Sequence, residues 1–137
     1  RRGKFIRSID MNESSFDRAL HNRFDLCTAV RLLTLHSSGS FATHLEDGML
    51  LLYTVNGIKL SSTDAGEKLN TMAICTGGEM LVTGGESCHV VVRSMRDLSV
   101  LCVLDLSNHG PIRCITLTPS SLNPAPQFMY IGTDDGK

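Results

Sequence analysis

The chain repeats one apolar segment at intervals of ~40 residues, and this recurrence constrains its fold more than any other feature of the sequence. Residues 30–35 correspond to residues 69–74 at an offset of 39, and at the same offset Gly39 falls on Gly78. A third copy occupies residues 112–117, 43 residues after the second. A period of this size indicates equivalent units, each of which hides its apolar face against the next.

Within each copy, short apolar runs alternate with polar turns in the same order. At the offset of 39, Phe41 of the first copy corresponds to Met80 of the second. Acidic turns that contain glycine predict hairpins, because glycine accepts a positive φ. After first strands at 30–35, 69–75 and 112–117, the predicted elements are second strands at 41–45, 80–83 and 128–131, turns at 46–48, 85–87 and 134–136, third strands at 49–55 and 88–94, and fourth strands at 58–63 and 100–106.

Four short strands in every ~40 residues are typical of a β-propeller blade. We therefore predict an all-β fold in which the chain forms about two and a half blades of an incomplete propeller. Such a piece leaves sheet faces and strand edges uncovered, so we expect it to be unstable by itself. Within residues 1–137, the predicted parts are the last strand of a preceding blade at 1–10, a loop with a short helical turn at 11–29, blades at 30–63 and 69–106, and a half blade at 112–137.

The charge balance argues against a nucleic-acid partner. With 13 basic and 14 acidic side chains the net charge is −1, so no global field attracts nucleic acid or acidic lipid. No apolar run approaches the ~18 residues of a membrane-spanning helix. The basic first residues are not followed by the apolar region of a signal peptide, and the sequence does not begin with methionine. We therefore expect a segment of a longer polypeptide.

The cysteines favour a reducing compartment. The chain has 5 cysteines without tight spacing. Four of them lie in or beside apolar runs, at Cys75, Cys88, Cys102 and Cys114. We predict that these four are small buried hydrophobic side chains rather than members of disulfides.

No arrangement of residues in the sequence predicts catalysis, a metal site or a cofactor. His44 lies close in sequence to Glu46 and Asp47, as a base with an orienting acid would, but the hairpin turn explains the acidic pair. His109 precedes Gly110 in the segment between two predicted blades, where a structural role in the turn is the simpler interpretation. The sequence contains no metal-binding or phosphate-binding motif. We therefore predict a protein that is not an enzyme and has no small-molecule substrate.

Three polar residues recur at one position of the repeat. Arg31, Asn70 and Arg113 are each the second residue of a first strand that is otherwise mainly apolar. Equivalent positions on successive blades could line a common face, which makes these residues candidates for contact with a protein or peptide partner. The alternative is that they cap strand ends and meet water.

The predicted blades resemble WD repeats. The resemblance rests on the first strands with their closing turns, 30–39 and 69–78, and on the Asp-Gly hairpin at 134–136. It implies a propeller fold and a role in binding proteins rather than in catalysis.

The chain departs from the WD-repeat pattern at two of its defining pairs. The Trp-Asp pair is absent, and Tyr53 and Arg93 or Val92 stand where Trp is expected. The Gly-His pair occurs in reversed order, as His109 followed by Gly110. The Asp–His–Ser/Thr–Trp hydrogen-bond network of the family is therefore not carried over to this chain.

A closer resemblance is to the C-terminal WD-repeat propeller of BEACH-domain proteins of the neurobeachin-like group. It rests on residues 52–60, 81–86, 90–93, 111–115 and 131–137. This resemblance implies that the chain belongs to a large scaffold that acts in vesicle and membrane trafficking. The parent protein would be cytoplasmic, peripheral on membranes, and would carry a PH-like and a BEACH domain upstream.

Three alternatives remain at the level of sequence. The chain could belong to a WD-repeat adaptor of another complex. It could come from a propeller enzyme whose site lies outside this segment. It could also bind membrane surfaces through its basic N-terminal residues, which salt-sensitive binding to liposomes would reveal.

Overall fold

A computed structural model describes residues 28–119 and 128–136 of the chain. The strand predicted at 1–10 and the helical turn predicted after residue 11 lie outside these residues. Within the described ranges the secondary structure consists of β-strands, turns and one 3-10 turn at Ser107–His109. The strands are β1 (Val30–Leu35), β2 (Ser40–Leu45), β3 (Met49–Thr54), β4 (Lys59–Asp64), β5 (Leu69–Ile74), β6 (Met80–Gly85), β7 (His89–Ser94), β8 (Val100–Asp105), β9 (Ile112–Leu117) and β10 (Met129–Thr133).

The strands form three antiparallel sheets in which neighbours in sequence are neighbours in space. The first sheet has the order β1-β2-β3-β4, the second β5-β6-β7-β8, and the third pairs β9 with β10. Every connection within the first two sheets is a local hairpin, as the short polar turns of the sequence indicate. The predicted fold class, an all-β and incomplete propeller, is confirmed.

The apolar core lies between successive sheets, because each sheet covers a face of the next. We call the junction of the first and second sheets the first seam, and that of the second and third sheets the second seam. Burial of one leucine side chain contributes about 1.5–3 kcal/mol, so each seam depends on several such residues. The first seam contains Ala42, Leu50, Leu52, Leu69, Leu81, Met95 and Leu98, and the second contains Val82, Val90, Ile112 and Ile115.

The opposite face of the first sheet carries a separate apolar cluster. Phe41 stacks on Tyr53 with a centroid distance of 5.5 Å, and Leu45 and Leu51 are buried beside them. β3 is therefore buried on both faces. In β7, by contrast, Val90 is fully buried whereas the two valines after it are half-buried.

The fourth strands lie at the outer border of their sheets. Every residue of β8 is exposed, including Val100, Leu101, Val103 and Leu104. The first strands lie at the opposite border, where β5 contacts β1 across the first seam and β9 across the second. This arrangement places the beginning of β1 beside the second sheet and the beginning of β5 beside the third.

The structure corrects the alignment of the first two sheets. The turn after β1 covers residues 36–39, whereas the turn after β5 covers 75–79 and is one residue longer. From the second strand onward the offset is therefore 40, and Phe41 corresponds to Leu81 rather than to Met80. Because side chains alternate along a strand, this difference places Leu81 in the core while Met80 is exposed.

A cysteine occupies a position that glycine holds in the other sheets. The turn between β6 and β7 covers residues 86–88 rather than 85–87, and Cys88 has a φ of 62°. Gly48 and Gly136 hold the same position, with φ values of 92° and 77°. The prediction that β7 begins at Cys88 was wrong because a left-handed turn residue was not recognised without glycine.

The four described cysteines are free thiols, but they do not share the buried environment that the sequence predicted. Cys75 is buried and Cys88 is half-buried, whereas Cys102 and Cys114 are exposed. The last two lie on strands whose faces the described residues leave uncovered. Apolar neighbours in sequence therefore did not determine their burial.

The antiparallel order divides the turns between two edges of the molecule. The upper edge consists of residues 46–48, 64–68, 86–89, 105–111 and 134–136, together with the beginnings of β1, β5 and β9. The lower edge consists of residues 36–39, 55–59, 75–79 and 95–99. The three predicted contact residues all lie at the upper edge.

Candidate functional site

The three predicted contact residues lie at irregularities of the first strands. Val30 pairs with Leu45 and Leu32 with His44, so that the register shifts at Arg31. The register shifts in the same way at Asn70 of β5 and at Arg113 of β9. A bulge redirects the side chain of its extra residue, which explains how a polar side chain is accommodated in an apolar strand.

Arg113 binds carboxylates of two sheets. Its Nε and Nη2 donate to Oδ1 and Oδ2 of Asp134 at 2.9 and 3.0 Å, a bidentate pair within the third sheet. Its Nη1 donates to Oε1 of Glu86 in the second sheet at 2.9 Å. The hydrogen bonds of Asp134 raise the pKa of Arg113, and Arg113 in turn lowers the pKa of Asp134.

Asn70 completes this network from the second sheet. Its Nδ2 donates to Oε1 of Glu86 at 2.9 Å and to the carbonyl oxygen of Ile112 at 3.0 Å. The hydrogen bond from Asn70 is the main reason why the pKa of Glu86 lies below its ordinary value, and Arg113 adds to the effect. Asn70 and Arg113 are therefore brought together through Glu86, and the network spans the second seam.

Arg31 is not part of the network. Its side chain is exposed and makes no hydrogen bond with the residues that the structure describes. It lines a shallow pocket at the upper end of the first seam, together with His44, Glu46, Asp47, Gly48, Asp64, Gly66, Glu67 and Lys68. At this bulge position, Asn70 and Arg113 thus join neighbouring sheets, whereas Arg31 faces a pocket.

The acidic members of the network were assigned to hairpin turns in the sequence. Glu86 and Asp134 are the first residues of equivalent turns, and Glu46 holds that position in the first sheet. The backbone amide of each donates to a carbonyl two residues before the bulge, at 3.3 Å for Glu86 and 2.9 Å for the other two. The recurrence of an acid at the start of each turn was the signal that could have identified them.

In the second and third sheets, a second pair of positions links the turn to the segment that precedes the sheet. Both carboxylate oxygens of Glu67 accept hydrogen bonds from Ser87, one from the amide at 2.7 Å and one from the hydroxyl at 2.6 Å. In the third sheet, Nδ1 of His109 lies 3.7 Å from Oδ2 of Asp135. A His–Asp contact is therefore present, although the sequence order His109-Gly110 did not predict one.

The chemistry of this edge is that of polar contacts. Among the described residues, no group of three or more His, Cys, Asp or Glu side chains is placed to hold a metal ion. In the same residues, no helix has the length and apolar character needed to cross a membrane. His44 is buried, and burial together with the charge of Arg31 lowers its pKa.

Comparison with known proteins identifies the fold. No family model matches the chain. The structure is similar to the WD40 repeats of RRP9, with a TM-score of 0.52 and 16% identity over 57% of this chain and 26% of the other. It is equally similar to U3-55K, with the same TM-score and identity over 57% of this chain and 27% of that one. The described residues thus form a segment of a WD-repeat β-propeller.

The sequence comparison found a similarity to a BEACH-domain protein. The chain is 29% identical over 102 residues to BEACH domain-containing protein B of Arabidopsis thaliana, which is 74% of this chain. This stretch corresponds to 3% of the length of that protein. The match agrees with the resemblance to BEACH-domain proteins found in the sequence.

Proposed function

We propose that this chain is part of a protein-interaction scaffold and contacts protein or peptide partners through its upper edge. The observation that carries the proposal is the recurrence of a bulge with a polar side chain at Arg31, Asn70 and Arg113. Exposed bulges next to binding sites redirect side chains toward a ligand. Their common position on successive sheets offers a partner a continuous row of contacts.

The similarity to a BEACH-domain protein supports a finer proposal. On this basis the chain belongs to a large cytoplasmic protein of vesicle and membrane trafficking. Its contact with membranes would then come mainly from other parts of that protein, since the net charge of −1 gives this chain no overall attraction to acidic lipid. The proposed role is binding rather than catalysis.

Arg31 offers the sharper test of the interaction surface. Because its side chain makes no hydrogen bond with the described residues, its replacement by alanine removes a surface group without disrupting the network. We expect Arg31→Ala in the full-length protein to lower the recovery of specific partners in quantitative affinity enrichment from cells. Lys59→Ala at the lower edge, which removes the same charge from an exposed position, is the matched control and should leave recovery unchanged.

Arg113→Ala tests the same edge at the second seam. We expect it to lower partner recovery as well, but it also removes three hydrogen bonds, so its effect needs to be compared with its thermal stability. If Arg31→Ala and Arg113→Ala both retain the partners of the unmodified protein, the upper edge is not the contact surface.

A further inference from the structure

The first seam carries a histidine at a position where the other sheets have glycine. His44, Gly84 and Gly132 each lie two residues before the turn acids Glu46, Glu86 and Asp134. At Gly84 the missing side chain lets β9 approach, since a Cβ there would lie 2.6 Å from Cγ2 of Ile112. The first seam instead places an imidazole between its two sheets.

The His44 ring is buried without a hydrogen-bond partner. Its relative exposure is 1%, and neither ring nitrogen has a partner with full hydrogen-bond geometry among the described residues, although the backbone of Glu67 lies close enough to raise the pKa of the ring. A buried polar group without a partner is destabilising, typically by about 1–3 kcal/mol. Because the pKa of the ring is lowered, it is neutral at pH 7 and one of its nitrogens is a hydrogen-bond acceptor.

The pocket that His44 lines has carboxylate oxygens available to a ligand. Asp47 uses Oδ1 to accept from the amide of Met49 at 3.0 Å, and Asp64 uses Oδ1 to accept from the amide of Gly66 at 2.8 Å. Each keeps its second oxygen free of a hydrogen bond with the described residues. Glu67, by contrast, directs both oxygens to Ser87.

The field of the upper edge favours a positively charged ligand. Carboxylates outnumber lysine and arginine side chains there by more than two to one. The carboxylates are Glu46, Asp47, Asp64, Glu67, Glu86, Asp105, Asp134 and Asp135, and the bases are Arg31, Lys68 and Arg113. Since Arg113 is already bound to two of these carboxylates, the remaining charge at this edge is strongly negative.

We propose that the pocket at the upper end of the first seam binds a lysine or arginine side chain of a partner protein, with Asp47 and Asp64 as its anionic ligands and His44 as a neutral acceptor. The inference rests on the proposed function and adds the chemistry of the partner. An ammonium or guanidinium donates several hydrogen bonds and accepts none, which matches a pocket of acceptors. Arg31 and Lys68 also line the pocket, and as long exposed side chains they must turn outward to admit a cation.

The test measures binding of labelled peptides to the full-length protein by fluorescence anisotropy. The probes are serine-glycine peptides of one length that carry three lysines, three glutamates or three norleucines. We expect the lysine peptide to bind at least tenfold more tightly than the other two at low salt, and less tightly as salt is raised. Equal binding of the glutamate peptide would overturn the proposal.

Isosteric variants distinguish binding in the pocket from attraction to the overall negative charge of the upper edge. Asp64→Asn and Asp47→Asn keep the oxygen that accepts from the turn amide but remove the charge, and each should weaken the lysine peptide about tenfold. Asp97→Asn is the matched control, because Asp97 holds an equivalent turn at the lower edge through Ser99. If Asp97→Asn weakens binding as much as Asp64→Asn, the peptide senses net charge and the pocket is not a site.

His44 variants test the acceptor directly. His44→Gln retains an acceptor in the pocket and should keep affinity within about threefold, whereas His44→Leu fills similar space without one and should lose about tenfold. Circular dichroism and thermal melting verify that each variant folds. Equal affinity of the two variants would overturn the role of His44.

The outcome also separates this inference from the proposed function. If pocket variants leave the lysine peptide unaffected while Arg31→Ala still lowers partner recovery, the upper edge remains the contact surface and the pocket assignment falls. If neither experiment shows an effect, both proposals fall.

Discussion

The two seams of the molecule are built from equivalent strands but closed by different residues. At the second seam, Gly84 admits Ile112, and a network from Asn70 to Arg113 joins the sheets. At the first seam, His44 stands in place of the glycine and Arg31 stays outside any described hydrogen bond. The comparison shows that equivalent positions can either join two sheets through hydrogen bonds or leave a polar side chain without one, according to the residue they carry.

The largest expected change in stability tests whether the first and second sheets correspond at an offset of 40, as in the structure. Leu81→Ala removes a side chain that is fully buried at the first seam and should destabilise the protein by about 3 kcal/mol. Met80→Ala changes a neighbouring side chain that is 37% exposed and should cost well under half as much. Chemical denaturation of both variants decides this, and a larger loss for Met80→Ala would contradict the offset of 40.

The next effect concerns the close approach of sheets at the second seam. Gly84→Val places side-chain atoms where Ile112 now lies, 2.6 Å from a Cβ at this position, and should destabilise the protein by about 2–3 kcal/mol through overpacking. Gly77→Ala is the control, because a Cβ there meets nothing within 4 Å. Denaturation midpoints that fall equally for both would show that the second seam is not closed by this contact.

A smaller effect of opposite sign is expected at the turn of the second sheet. Cys88 has a φ of 62° at the position that glycine occupies in the other two turns. Cys88→Gly should therefore raise stability by about 0.5–1 kcal/mol, because a left-handed conformation is costly for a residue with a side chain. Thermal melting under reducing conditions measures the gain, and a decrease in stability would mean that the hydrogen bond from the Cys88 thiol to the carbonyl oxygen of Glu86, at 3.8 Å, outweighs the cost of the left-handed conformation.

The smallest expected change in stability distinguishes Arg113, which belongs to the surface network, from Arg31, which does not. Arg113→Ala should lower the thermal midpoint slightly at pH 7, more than Arg31→Ala does, and the difference should decrease with salt because the network is exposed. Asp134 and Glu86 have folded-state pKa values below their ordinary 3.8 and 4.5. Their contribution is thus complete above those values and is lost as pH falls through the lowered ones.

Melting curves recorded from pH 7 to pH 3 examine this dependence. The difference between Arg113→Ala and the unmodified protein should shrink as the carboxylates take up protons. A difference that stays constant down to pH 3 would show that Arg113 stabilises the seam by packing rather than by charge.

The sequence predicted the architecture because its signals are local. Hairpin turns and apolar runs of strand length recur with the period of the fold, and short loops leave few other topologies. The position of Asn70 and Arg113 was also visible, since a polar residue recurred within apolar strands. The sequence did not predict the bulge that accommodates these polar residues, because a bulge depends on how the strand pairs with its neighbour.

Other parts of the site could not be read from the sequence. The extra residue in the turn before Met80 shifted the offset, so that Glu86 was not aligned with Glu46 and its role as a bridge was missed. His44 was judged by its sequence neighbours Glu46 and Asp47, whereas its burial comes from the packing of two sheets. The Glu67–Ser87 contact joins residues 20 positions apart and follows from tertiary proximity.

The bulges of the first strands have a consequence for how such proteins change over time. The extra residue of a bulge stands outside the regular alternation of its strand, so its exchange leaves the buried residues on either side in place. Substitutions there can alter what the surface attracts without a matching repair in the interior. Each unit therefore has one position at which the side chain can change while the pairing and the buried core around it stay the same.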